Sequence, residues 1–126
     1  MKSPQQQIFD MLYALSLEQG NDTYDYLPPS EAKYPFVHIG EQFDNDTANK
    51  TNVSGELTQF IHVYNVHEKR METSSILNNL KHAVREIRHT ETFYISVRGV
   101  RQRLIVDSST PTPLLKGMLE IDFKFN

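Results

Sequence analysis

The chain has 126 residues and a formal charge of −3, with 38% hydrophobic and 23% charged positions. That length suits one core rather than two, so residues 1–126 are read as a single α+β domain. The slightly acidic balance gives no global pull toward nucleic acid, the absence of cysteine excludes disulfides and thiolate metal sites, and no apolar window approaches the roughly 18 residues of a membrane span.

Met1 to Gln7 is not followed by the apolar stretch of a signal peptide. Instead Ser3-Pro4-Gln5-Gln6 reads as a helix start, with Ser3 as cap, Pro4 at the first helical position and Gln6 placed to complete a capping box. Ile8, Met11, Leu12 and Leu15 supply the apolar stripe, and Gly20 ends a helix running from about Pro4 to Gln19. Asn21 to Lys33 carries Asp22, Asp25, Pro28, Pro29 and Ser30, the residues of turns, and is expected to be irregular.

Tyr34 to Phe43 reads as a first strand, with Phe36, His38 and Gly40 on one face and Val37, Ile39 and Glu41 on the other. Pro35 places it at an edge or marks where the strand begins. The polar run Asp44 to Gly55 has no core pattern and predicts an extended, mobile loop between two strands. Glu56 to His67 is long, rich in β-branched and aromatic residues, and apolar on both faces: Phe60, His62, Tyr64 and Val66 against Leu57, Gln59, Ile61, Val63 and Asn65. Such a strand sits centrally, with something packed on each side. A helix follows, capped at Thr73 or Ser74 and reaching Arg88, with Ile76, Leu77, Leu80, Ala83, Val84 and Ile87 on one stripe.

Glu91 to Val97 predicts a third strand, Arg98-Gly99 a tight turn, and Val100 to Asp107 a fourth strand pairing back. After the break at Ser108 to Pro113, a final strand alternates Leu119, Ile121, Phe123 and Phe125 against Met118, Glu120, Asp122 and Lys124. One face of it is buried and the strand itself looks exposed. The expected order is α-β-β-α-β-β-β, an antiparallel or mixed sheet with two helices mainly on one face.

Chemistry is sparse. His62 and His67 lie on opposite strand faces, and His82 and His89 stand two helical turns apart, too far for one ion. His38 would neighbour His62 if the first two strands pair, as a packing pair. No G-x-S-x-G, no phosphate loop and no complete calcium loop is present, so no catalytic, cofactor or metal residues are expected and the chain is not read as an enzyme. Arg98, Arg101 and Arg103 form a basic run on or beside the expected hairpin. They could touch phosphates, or act as exposed charges that block unwanted strand pairing.

The order of elements, from Tyr34-Pro35-Phe36-Val37-His38-Ile39-Gly40-Glu41 through Phe60-Ile61-His62-Val63-Tyr64 and the second helix to the strand Leu119 to Phe125, resembles the tail terminator (tail completion, or tail-to-head joining) proteins of long-tailed bacteriophages. The resemblance implies a non-enzymatic virion protein at the head-proximal end of the tail, assembled in the bacterial cytoplasm. It implies a homohexameric ring that caps the tail tube, stops its polymerisation and docks the head connector, with DNA passing through the lumen. The partners implied are the tail-tube protein and the connector; no cofactor and no membrane are implied. Candidate interface or lumen residues are Asp44, Asp46 and Lys50 in the polar loop and Arg98, Arg101 and Arg103 in the hairpin. The alternatives are a head-completion (stopper) protein on the other side of the joint, or a small-ligand regulatory domain, which would need a convergent polar pocket.

Overall fold

The structure, a computed structural model, describes residues 2–45 and 55–126. Its elements are α1 (Pro4–Glu18), β1 (Thr23–Tyr24), β2 (Phe36–Asn45), β3 (Gly55–Val66), α2 (Arg70–Glu86), β4 (Ile95–Asp107) and β5 (Leu114–Phe125). The strands form one sheet in the order β1-β2-β3-β5-β4, with β1 parallel to β2 and the remaining neighbours antiparallel. The α+β class, the mixed sheet and the two helices agree with the sequence reading.

Alternation along β3 and β5 sets the core. Leu57, Ile61 and Val63 lie opposite Phe123, Leu119 and Gly117, on the same side as Val37 and Ile39 of β2. Ile8 and Leu12 of α1 and Leu77, Leu80 and Val84 of α2 pack onto that side. Each of these buried side chains contributes about 1.5–3 kcal/mol by leaving water. α2 can lie close because β5 offers Gly117 beneath it; a Cβ there would come within 2.6 Å of Leu77 Cδ1.

Polar side chains fix the helix ends. Ser3 caps α1 by accepting from the Gln6 amide at 3.2 Å, while the Gln6 side chain turns to Asp10 instead of closing a capping box. Buried Gln7 accepts from the Thr90 hydroxyl and the Thr92 amide, and donates to the Lys2 carbonyl and the Thr92 hydroxyl. It therefore ties α1 to the segment before β4 with all of its hydrogen-bonding capacity in use.

Five local expectations are corrected. Thr23–Tyr24, inside the stretch expected to be irregular, forms β1, held to α1 by the Ser16 and Thr23 hydroxyls at 2.7 Å. The second helix starts at Arg70, a turn before Thr73, with no side-chain cap at Lys69. Its first turn is fixed instead by Asn65, whose amide donates to Glu72 Oε1 at 2.8 Å. Arg98-Gly99 is not a turn: the two strands expected on either side of it are one continuous strand, β4, with a bulge between Val97 and Gly99. The final strand, β5, is central, flanked by β3 and β4. Asp44 belongs to β2 rather than to a loop, whereas Asp46 and Lys50 lie outside the described residues.

Candidate assembly interface: the open face and edges of the sheet

Both helices cover one side of the sheet, and among the described residues no element packs on the other. Register places that open face in rows. Phe36, Tyr64, Lys116 and Ile105 form one row across β2, β3, β5 and β4; His38, His62, Met118 and Arg103 form the next; Phe60, Glu120 and Arg101 follow. Direct cross-strand neighbours are the closest side-chain contacts a sheet offers, and on the β2 and β3 half they are rings, whereas β5 and β4 contribute mostly charged side chains.

Ring contacts, stacked, tilted and edge-on, run across the β1 side of this face. Phe36 stacks on Tyr64 with centroids 5.1 Å apart, His38 on His62 at 5.8 Å, and Phe60 on His62 at 6.4 Å. Tyr24 meets Phe36 edge-on and Phe43 meets Phe60 edge-on. Lys116 Nζ sits 5.5 Å from the Tyr64 centroid, a cation–π arrangement. The margin of the strip is exposed to water: Phe43 at 59%, Tyr26 at 60% and Leu27 at 63%.

A bulge in β2 builds the polar centre of this face. Between Ile39 and Gln42 the register shifts, so that Gly40 and Glu41 together stand opposite Phe60. Fully buried Gln59 stabilises the bulge from beneath. Its amide nitrogen lies within hydrogen-bonding distance of the Gly40, Glu41 and Phe60 carbonyls, and its oxygen accepts from Gln42. The bulge turns Glu41, which simple alternation puts on the helix side, toward His62, whose Nε2 lies 2.6 Å from Glu41 Oε1. An ionised carboxylate only accepts, so Nε2 carries the proton. That hydrogen bond is the main cause holding the Glu41 carboxyl below its ordinary range. His38 is pushed below the ordinary imidazole range by burial first, then by the neighbouring His62. His62 Nδ1 is buried without a hydrogen-bond partner among the described residues.

The candidate residues of the sequence reading fall on opposite margins. Arg98, Arg101 and Arg103 are exposed on the edge strand β4; Arg101 approaches Glu120 no closer than 3.8 Å. Asp44 lies at the far end of β2 and accepts from Gln5 Nε2 at 2.8 Å. The aromatic strip and the Glu41–His62 contact were not singled out as a site from sequence. Gly40 inside a strand pattern was the available signal for the bulge. Among the described residues no group of three or more potential ligands is placed to hold a metal. One cleft of about 390 Å³ lies between α1 and residues 89–91; of its two carboxylates, Asp10 is already engaged by Lys2 at 2.8 Å and Glu91 is exposed.

No family model matches the sequence, and no curated protein matches it. Among solved structures, a chain in the virion of a native gene transfer agent (GTA) particle superposes with a TM-score of 0.63 at 15% identity, covering 97% of this chain and 95% of that one. The likeness is one of fold, and it extends over nearly the full length of both chains.

Proposed function

We propose that this chain is a non-enzymatic virion assembly protein, and more specifically a tail terminator. In this role it forms a ring, caps the tail tube, stops tube growth and offers the head connector a docking surface. The observation that carries the reading is the full-length likeness to a chain of a GTA virion. The open face supports it. A sheet with one side under helices and the other lined by Phe43, Phe60 and Tyr64 presents apolar area that an isolated domain has no use for and a neighbouring subunit can cover. Such a surface needs placement rather than chemistry, in keeping with the absence of a nucleophile–base pair in the sequence reading.

The test is the mass of the purified full chain by light scattering, alone and with tail-tube protein, together with the length of tubes grown in its presence. A ring, in solution or on tube tips, that halts elongation is the expected result. A monomer or dimer that ignores tubes removes the terminator reading. Binding to portal or adaptor in place of tube assigns the chain to the stopper side of the joint.

A further inference from the structure

The sheet is open at both ends, and its two ends differ in charge. Among the described residues β4, which has 13 residues, pairs on one side only, with β5. At the other end β1 covers β2 only at Val37 and His38, so the outer backbone of β2 beyond His38 has no strand beside it among the described residues. Unpaired strand edges are templates for pairing with another chain. β4 carries Arg98, Arg101 and Arg103, all exposed, against a single carboxylate, Asp107. The stretch from residue 21 to 45 carries five carboxylates against one lysine, and Asp22, Asp25, Glu41 and Asp44 are all exposed.

We infer that the β4 edge of one copy docks on the acidic β1–β2 margin of a second copy, making a head-to-tail contact. Two β4 edges brought together would set arginines against arginines, and two β1–β2 margins would set carboxylates against carboxylates. Both symmetric pairings are therefore disfavoured, while the mixed one is attractive. A contact between two different patches of the same chain is heterologous, and repetition either closes a ring or extends a filament. The inference deepens the ring reading above by naming which surfaces meet.

A charge swap tests it on the full chain, by light scattering at low salt, alone and on tail tubes. One variant, Arg101→Glu with Arg103→Glu, makes both margins acidic; another, Asp22→Lys with Asp25→Lys and Glu31→Lys, makes both basic. All five side chains are exposed, and circular dichroism of each variant checks folding. Each variant alone should fall to monomer mass, and an equimolar mixture should recover the wild-type mass, because every junction then joins opposite charges. If the wild type assembles and the variants assemble equally well, the contact is wrong and the ring reading stands. Monomeric variants whose mixture stays monomeric also overturn it. If the wild type remains a monomer both alone and on tubes, the ring reading itself fails.

Discussion

Gly40 has no side chain, and the space one would fill is taken by His62, whose ring atoms Cδ2 and Nε2 would lie 2.8 and 2.9 Å from an added Cβ. Gly40→Ala must therefore push the imidazole away from Glu41 or open the bulge. We expect a loss of about 1–3 kcal/mol, measured by urea denaturation, together with a rise in the Glu41 pKa toward its ordinary value, read by NMR titration. Gln59→Leu keeps the volume but withdraws the amide from the carbonyls it serves and leaves Gln42 only its bond to the Gln5 carbonyl, at a cost of about 1–3 kcal/mol. A change below about 0.5 kcal/mol would show that the bulge needs no such anchor. The same cluster predicts acid sensitivity. The groups acting on His38 are His62, Glu41, Lys116 and Asp25, and with burial leading, the folded state resists its protonation. An unfolded chain then takes up the proton first, so stability is full above the ordinary imidazole range and declines as pH falls through it. Glu41, with its pKa depressed, adds stability that is lost at still lower pH. Denaturation midpoints measured from about pH 7 to about pH 5 should fall for the wild type and flatten for His38→Gln.

At the scale of elements, Gly117 shows how closely α2 is seated. Gly117→Ala would bring a methyl against Leu77 and lift the helix, costing about 1–3 kcal/mol by thermal or chemical unfolding. A neutral outcome would mean that Leu77 has room to rotate. The helix stripe Leu77, Leu80 and Val84 was legible in the sequence, as were α1, the central place of β3 and the burial of Phe123 and Phe125, because each rests on periodicity in its own segment; the second covering layer expected on β3 is not found among the described residues. What was not legible depends on partners elsewhere in the chain. A bulge and a tight turn look alike at Arg98-Gly99, since both interrupt alternation beside a glycine, and only pairing with β5 distinguishes them. β5 looked exposed because Lys116, Glu120, Asp122 and Lys124 face the open side, yet an uncovered face says nothing about position within the sheet. β1 is two residues long and exists through Thr23 and its contacts with Ser16 and Tyr13. No local pattern of that length carries a signal.

For the whole molecule, the organising asymmetry is a sheet with one side under helices and the other lined with stacked rings, between margins of opposite charge. The two surfaces predict different salt responses. An edge contact between exposed charges weakens as the Debye length shrinks from about 10 Å at 0.1 M to about 3 Å at 1 M, whereas burial of Phe43 and Phe60 would not. Assembly mass measured across that range should fall if the edges dominate. An unchanged mass would assign the contact to the aromatic face.

The bulge in β2 also bears on how the chain can change in length. Ile39 pairs with Ile61 and Gln42 with Gln59, so two residues of β2 stand against the single residue Phe60. Deleting Gly40 would leave Glu41 alone in that slot, with every pair on either side still facing its present partner. A one-residue deletion outside the pair Gly40–Glu41, in β2 or in β3, would invert the side on which all later residues of that strand project. The strand thus holds a spare position at its most polar point, where a codon can be lost without scrambling what lies on either side of it.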